Sequence, residues 1–161
     1  MLPQKPRFSP LDSLWQAYLS RLPEDHPHRK RSMPAAWAFG NSPEMADELG
    51  RLVQQGTKTA TCSMLWEYDM DGEPLPEVGE LSIILDGAER PLCLIETVEI
   101  EIRPYNEVDE RFASDEGEGD RSMAYWRQAH WHFFSGVCSR LGRAPAENMP
   151  LVCERFRVVY K

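Results

Sequence analysis

Gly56-Thr57-Lys58-Thr59-Ala60-Thr61-Cys62-Ser63 holds the clearest structural signal in the sequence, because a helix ends and a strand begins within it. Upstream, Ser42 is a typical N-cap residue, Pro43 suits the first position of a helix, and apolar residues recur at helical spacing. Gly56 can adopt the left-handed conformation that commonly closes a helix. After it, β-branched threonines alternate with other residues, as they do in strands. The sequence therefore predicts a helix over residues 43–55 and a strand that follows it.

Lys58 lies at the predicted junction of helix and sheet, where its ammonium group could hold a phosphate or polarise a carbonyl. A solvated lysine at the start of a strand is the simpler interpretation of this residue alone. Because Lys58 and Thr61 are three positions apart, their side chains would point to opposite faces of a regular strand. They can share one site only if Lys58 still lies in the turn, or if a bulge intervenes. A shared site thus requires an irregular start to the strand.

The chain is acidic and of single-domain length. Its 161 residues are enough to bury a core, and 26 acidic against 18 basic residues give a net charge of −8. This charge argues against broad electrostatic binding of nucleic acid, although a small nucleotide ligand or a local basic patch is compatible with it. The one concentrated basic run, His28-Arg29-Lys30-Arg31, favours a solvated connector, with contact to an RNA backbone as the alternative.

Neither a membrane span nor a signal peptide is indicated, since no apolar run approaches the roughly 20 residues that a span requires. The four cysteines, Cys62, Cys93, Cys138 and Cys153, are far apart and form no C-x-x-C pair. Three of them lie in apolar strand patterns, where cysteine behaves as a small hydrophobic residue. We therefore expect a reduced, cytoplasmic protein without structural zinc.

Helices and strands are mixed along the rest of the chain. A first helix is predicted over residues 10–22, and a polar, proline-rich linker over 23–34 connects it to the remainder. The further predicted elements are strands over 81–85, 91–102 and 151–160, a short helix over 105–114, an acidic segment over 115–120 and a long helix over 121–141. Regular βαβ alternation is not indicated. This order favours an α+β fold with a small curled sheet or barrel flanked by helices.

The order of these motifs resembles the ASCH-domain family in its larger bacterial type, a branch of the PUA-like superfamily of β-barrels linked to RNA. The segments that carry the resemblance are Trp37-Ala38-Phe39-Gly40, Gly56 to Ser63, Gly79-Glu80-Leu81-Ser82, Ile95-Glu96-Thr97, Asp115 to Ser122 and Pro150 to Phe156. The resemblance implies a PUA-like small mixed β-barrel flanked by helices. Residues 35–161 are then the ASCH domain, and residues 1–34, the first helix and polar linker, are an extension outside it.

The resemblance implies two activities and one binding function. Small bacterial members of the family are amidohydrolases that deacylate N4-acetylcytidine with a lysine, a threonine and a glutamate, which match Lys58, Thr61 and Glu116 here. A larger member of similar layout is described as a ribonuclease on single-stranded RNA that depends on the motif lysine. A non-catalytic RNA-binding module is the third alternative. The expected ligand is a nucleoside or single-stranded RNA, the net charge favours the nucleoside, and no cofactor is expected.

The roles of these three residues can be examined against the chemistry of amide hydrolysis. Thr61 would attack the carbonyl carbon, and it needs a base to take its hydroxyl proton. Lys58 could be that base if burial lowers its pKa toward neutrality. A neighbouring Glu116 would instead raise the lysine pKa. A charged Lys58 would then stabilise the oxyanion, and Glu116 would be the better base.

Three further residues are candidates for substrate binding. Trp66 and Tyr68, just beyond the motif strand, could stack on a pyrimidine, and Ser122 is a candidate by its chemistry alone. No metal site is expected, because the spacing of the acidic segment does not match an EF-hand loop and Asp120 suits the N-cap of the next helix. His130, on the apolar face of that helix, is interpreted as a core histidine.

Overall fold

The computed structural model describes residues 8–161. The helices in this range are α1 (Pro10–Ser20), α2 (Pro43–Gln54), α3 (Leu65–Asp71), α4 (Glu110–Glu116) and α5 (Met123–Arg140). The strands are β1 (Ala36–Trp37), β2 (Ala60–Met64), β3 (Leu81–Leu85), β4 (Pro91–Pro104) and β5 (Pro150–Tyr160). Two short 3-10 helices, Pro27–Lys30 and Tyr105–Glu107, lie in the connections.

The strands form one sheet in the order β1-β3-β4-β5-β2. β1 pairs with β3 in parallel, and the other neighbouring strands are antiparallel. The α+β class is confirmed, but the sheet is not closed into the predicted barrel, because its edge strands β1 and β2 do not pair within residues 8–161. β1 has only 2 residues and offers little edge for closure. Trp37 of β1 and Thr61 of β2 nevertheless line one cavity, so the sheet curls strongly.

Apolar helix faces cover the sheet in three clusters. α1 contributes Trp15 and Tyr18 to a cluster with β3 and β4. α2 contributes Leu49 and Val53 to a second cluster with β3, β4 and β5. The largest cluster joins α4 and α5 to β2 and β5, with Trp126 almost completely buried. This packing brings the end of α4, the first turns of α5 and the start of β2 to the same place.

Most predicted elements are confirmed with small shifts at their ends, and β3 (Leu81–Leu85) agrees at both. The single helix predicted over residues 105–114 is wrong. That segment forms a 3-10 helix followed by α4, because Asp109 accepts a hydrogen bond from Phe112 N–H and so starts a new helix. The sequence pattern does not predict α3, whose 7 residues lack a side-chain N-cap hydrogen bond.

Ser122 is the N-cap of α5, and the assignment of this role to Asp120 is wrong. Ser122 Oγ accepts a hydrogen bond from Tyr125 N–H at 3.1 Å. Asp120 Oδ1 instead accepts from Ser122 N–H at 2.9 Å. Asp120 therefore stabilises the turn that precedes the helix, and the Ser122 hydroxyl is engaged in capping.

The basic linker is held by hydrogen bonds to backbone carbonyl groups. Arg29 donates to Leu22 O and Pro23 O, and Arg31 donates to Gly79 O. These bonds agree with the connector interpretation of the linker, while the domain boundary before residue 35 stays a prediction. Among the helices described, none is both long and apolar enough to cross a membrane. The four cysteines are free thiols.

Candidate active site

The turn between α2 and β2 places Lys58 ahead of the strand, since β2 begins at Ala60. The N–H of Lys58 donates to Leu52 O near the end of α2 at 3.1 Å. The N–H of Thr59 donates to a carbonyl oxygen of α4 at 2.7 Å and ties the turn to that helix. The strand therefore starts irregularly, as a shared site requires, and Lys58 and Thr61 line one cavity.

Gly117 allows the end of α4 to lie against this turn. Its φ is +73°, and a Cβ atom at this position would lie 2.5 Å from Thr57 O. Both the left-handed backbone and the close approach favour glycine over any other residue. Because Gly117 ends α4 directly after Glu116, it brings that glutamate next to Lys58.

Lys58 and Glu116 form a buried ion pair. Lys58 Nζ lies 2.9 Å from Glu116 Oε2, and the two side chains are 1% and 2% exposed. Lys58 Nζ also donates to the Glu116 carbonyl oxygen at 3.3 Å and to Glu118 Oε1 at 3.3 Å. An ammonium group has three protons, so these three acceptors engage all of them.

The second carboxylate oxygen of Glu116 is engaged as well. Glu116 Oε1 accepts hydrogen bonds from Cys62 Sγ at 3.1 Å and from Trp126 Nε1 at 3.3 Å. His130 Nε2 lies 3.4 Å from the same oxygen, and the imidazole stacks on the Trp126 ring. Because Trp126 and His130 are four residues apart, α5 presents both groups on one face, toward the carboxylate.

Neighbouring charges outweigh burial in setting the pKa values of Lys58, Glu116 and His130. Burial lowers the pKa of Lys58, but the charges of Glu116 and Glu118 raise it further, to above its ordinary value. Burial raises the pKa of Glu116, yet Lys58 and His130 hold it well below its usual range. The pKa of His130 is raised because Glu116 outweighs the effect of burial. Lys58 is therefore an ammonium ion and not a resting base, and Glu116 is a weak base.

The ion pair forms part of the wall of a cavity of about 290 Å³, here called the lysine cavity. Thr61 and Cys62 of β2 and Glu118 line it beside Lys58 and Glu116. Aromatic side chains complete the wall; they are Phe39, Tyr125, His130 and Phe133. The cavity thus combines a fixed cation, a hydroxyl group and flat apolar surfaces, which is the composition of a site for a small aromatic ligand.

Thr61 also lines a second cavity of about 300 Å³ inside the curled sheet, here called the lumen cavity. Trp37, Tyr68 and Phe156 supply aromatic surface to it, and Glu154 lies on its wall. The Tyr68 hydroxyl is 2.9 Å from Ser63 Oγ. Thr61 belongs to both walls and so separates the two cavities.

The structure brings some of the predicted site residues together and leaves others apart. Lys58, Thr61 and Glu116 line the lysine cavity, and Tyr68 lines the lumen cavity. Trp66 packs against the cluster beneath α5 and carries the Arg143 guanidinium 4.4 Å above its ring. Ser122 is outside both linings, at the start of α5.

Sequence reasoning missed four contributors to the site: Cys62, Glu118, Trp126 and His130. Cys62 and Glu118 lie inside the motifs that carry the prediction, one strand position after Thr61 and two residues after Glu116. The i, i+4 spacing of Trp126 and His130 marks a common helix face, but the same spacing also describes a core face. The interpretation of His130 as a core residue is correct, and Trp126 is buried beside it. Both side chains also contact the Glu116 carboxylate.

The surroundings of Cys62, Glu116 and His130 disfavour the binding of a divalent cation. The ligand atoms of Cys62, Glu116 and His130 lie within 4.8 Å of one another, and they are the one such group found in residues 8–161. The Lys58 ammonium already neutralises the carboxylate at 2.9 Å. Burial and Glu116 also raise the pKa of the Cys62 thiol well above its ordinary value, which disfavours the thiolate that metals bind.

Comparison with known proteins identifies the family of the chain. A sequence model described as the ASCH domain matches residues 35–160. The chain belongs to the ASCH domain family. Its PUA-like fold is often linked to RNA binding. No curated protein matches the chain significantly.

Two solved structures are similar to this ASCH domain protein. A crystal structure of an ASCH domain from Lactobacillus crispatus JV V101 is 35% identical, has a TM-score of 0.89, and aligns over 99% of this chain and 100% of that chain. Protein EF3133 from Enterococcus faecalis V583 is 40% identical, has a TM-score of 0.83, and aligns over 94% of this chain and 88% of that chain.

Proposed function

We propose that this protein is an amidohydrolase that removes the acyl group from the exocyclic nitrogen of an N4-acylcytidine nucleoside such as N4-acetylcytidine. One observation carries the proposal: the buried Lys58–Glu116 pair lies beside Thr61 on a cavity of about 290 Å³. The reaction needs a cation for the carbonyl oxygen and a nucleophile for the carbonyl carbon, and these residues supply both types of group.

Lys58 stabilises the negative charge that develops on the carbonyl oxygen. Its ammonium group is kept charged by Glu116 and is fixed in a nearly water-free wall, where an electrostatic interaction is stronger than in water. The bond to Glu118 is the replaceable one, because it is 3.3 Å long and the Glu118 side chain is 16% exposed. A substrate carbonyl oxygen that displaces Glu118 would receive that proton of Lys58.

Thr61 is the nucleophile in this proposal. Its hydroxyl oxygen attacks the carbonyl carbon and forms a tetrahedral intermediate, whose oxyanion Lys58 stabilises. The intermediate expels the exocyclic nitrogen as cytidine and leaves an acyl ester on Thr61. Water then hydrolyses the ester and releases the carboxylic acid. Glu116 keeps Lys58 charged and in place during both steps.

A nucleoside suits the molecule better than an RNA chain does. The net charge of −8 repels a polyanion. Two side chains of the basic run, Arg29 and Arg31, donate to backbone carbonyl groups and hold the linker. The ribonuclease and the RNA-binding alternatives both need a basic surface for the phosphate backbone, and the residues described give little support for one.

The test is hydrolysis of N4-acetylcytidine, followed as cytidine and acetate by chromatography, with a chelator present. The wild type and the control Lys30→Met, which removes an exposed lysine, should convert the substrate at equal rates. Lys58→Met should lower turnover by about 10²–10³-fold, the loss typical of a removed oxyanion donor. Full turnover in Lys58→Met would refute the mechanism. Absence of conversion by the wild type would refute the proposed function, and cleavage of single-stranded RNA would then be assayed at low and high salt.

A further inference from the structure

The proposed reaction lacks a base, because the groups nearest to Lys58 are all committed. Both carboxylate oxygens of Glu116 accept hydrogen bonds, and its pKa is held well below the usual range by Lys58 and His130, against the effect of burial. His130 lies against Glu116 and Glu118, and the charge of Glu116 favours its protonated form in spite of burial. Some other residue must take the proton from Thr61.

We propose, resting on the proposed function, that Glu154 is the general base and acid for Thr61, acting from the lumen cavity. Thr61 of β2 and Glu154 of β5 are direct partners in the antiparallel pair. Side chains of directly paired residues lie on the same face, with Cβ atoms about 5 Å apart. Both residues line the lumen cavity, so the carboxyl group and the hydroxyl face one space.

The hydrogen bonds of Glu154 and Thr61 leave both side chains free to exchange a proton. Glu154 Oε1 accepts from Thr97 Oγ1 at 3.3 Å, which fixes one end of the carboxyl group. Within residues 8–161, the structure shows no hydrogen bond to Glu154 Oε2 or to the Thr61 hydroxyl. Oε2 is therefore available to receive the Thr61 proton, directly or through one water molecule.

The surroundings of Glu154 suit a group that both takes and gives a proton. The titratable side chains that share the lumen wall with it are Tyr68 from α3 and Glu73 and Glu80 from the connection to β3. Among the described lining residues none is a cation. Burial, opposed by the hydrogen bond from Thr97 and assisted by the charge of Glu80, raises the pKa of Glu154 to about 7. A base with a pKa near the working pH transfers protons most effectively in both directions.

With Glu154 as base and acid, every proton transferred in the reaction has a donor and an acceptor. As the Thr61 oxygen bonds to the acyl carbon, its proton passes to Glu154. As the bond from carbon to the exocyclic nitrogen breaks, Glu154 returns that proton to the nitrogen, and cytidine leaves as a neutral amine. In the second half, Glu154 takes a proton from the attacking water, and the Thr61 oxygen regains one as the ester breaks. Glu154 ends each cycle in its starting form.

The experiment compares pH profiles of kcat/KM for N4-acetylcytidine in the wild type and three variants. The wild type should show a rising limb near pH 7, because the base must be ionised to act. Glu154→Gln should lose about 10²–10⁴-fold in kcat together with that limb. Glu80→Gln removes the neighbouring charge, so the limb should move to lower pH. Glu99→Gln, which changes an exposed glutamate of β4, should match the wild type.

The outcomes separate this proposal from the proposed function. No turnover by the wild type refutes both. Turnover by the wild type with full activity in Glu154→Gln refutes the role of Glu154 alone, and so does a variant that loses rate but keeps the wild-type limb. If Glu154→Gln fails to fold, Glu154→Asp decides: it keeps a carboxyl group one methylene further from Thr61, and it should lose rate while retaining a rising limb. A Glu154→Asp variant without a limb also refutes the role.

Discussion

Lys58 Nζ and Glu116 Oε2 lie 2.9 Å apart, although 58 residues separate them in the sequence and neither side chain is more than 2% exposed. Such a pair is costly to bury, and its components stabilise each other only while both are present. Hydrogen bonds to every proton of the ammonium and to both carboxylate oxygens reduce this cost. The main effect of the pair is therefore to fix a charge at the site, and its net contribution to the stability of the fold is small.

Removing one partner of this pair should destabilise the protein strongly. Lys58→Met leaves a buried carboxylate, and Glu116→Gln leaves a buried ammonium, so each should lower the free energy of unfolding by about 3–5 kcal/mol. The double variant should be less destabilised than the sum of the two, because it leaves no unpaired charge. Urea denaturation at pH 7 measures all three. Additive losses would contradict the coupling that the contact implies.

Thr61 should affect rate and leave stability nearly unchanged. Thr61→Val keeps the β-branched shape that suits β2 but lacks the hydroxyl, so we expect turnover of N4-acetylcytidine to fall by at least about 10³-fold, as is usual when a nucleophile is removed. Thr61→Ser retains a hydroxyl and should keep a measurable fraction of activity. Steady-state kinetics and thermal unfolding of the same samples give both readouts. Equal activity in the valine and serine variants would show that Thr61 is not the nucleophile.

Gly117 should tolerate no side chain. Gly117→Ala would place a Cβ atom 2.5 Å from Thr57 O on a backbone with φ of +73°. We expect a loss of at least about 1–3 kcal/mol in the free energy of unfolding, the usual cost of a strained backbone position. Activity should fall as well, because the Lys58 turn and Glu116 would move apart. Gly72→Ala is the matched control: φ is +65° there but a Cβ atom would meet nothing within 4 Å, so the steric part of the loss should be absent.

Local signals account for what the sequence could predict. Ser42, Pro43 and Gly56 mark the ends of α2 because capping depends on a few adjacent residues, and α2 ends at Gln54, one residue before the predicted end. The apolar stretches that form β3 and the first half of β4 are local signals of the same kind. The resemblance to the ASCH-domain family also implies that Lys58, Thr61 and Glu116 share one site, and all three line the lysine cavity.

Properties that depend on register and charge balance were beyond the sequence. The pairing of Thr61 with Glu154 follows from the alignment of β2 with β5, and a shift of one residue would turn the Glu154 side chain away. The protonation state of Lys58 depends on burial and on two carboxylates that meet it only in the fold. The sequence indicates that burial and a neighbouring carboxylate would shift the pKa of Lys58 in opposite directions, but it does not show which effect is larger. Closure of the barrel depends on an edge strand of 2 residues that carries almost no pattern.

Glu154 should make stability fall as pH rises. Its pKa is raised from the ordinary value of 4.5 to about 7 in the fold, chiefly by burial. The folded protein therefore binds this proton more tightly than the unfolded chain does. The resulting stabilisation is complete below about pH 4.5 and is lost as pH rises through about 7, with a total change of up to about 3 kcal/mol.

Glu154→Gln removes this dependence, because a neutral amide replaces the carboxyl group and can still bond to Thr97. The variant should gain stability relative to the wild type between pH 5 and pH 8, while Glu99→Gln, at an exposed position, should show a constant difference. Urea denaturation of the three proteins at four pH values in this range makes the comparison, and the titrating groups that the three proteins share cancel. A stability gap between Glu154→Gln and the wild type that does not widen with pH would mean that Glu154 ionises in the fold as it does in the unfolded chain. The energetic cost of holding this half-buried carboxyl group in its charged form would then be absent, and so would the property that suits it to exchange a proton with Thr61.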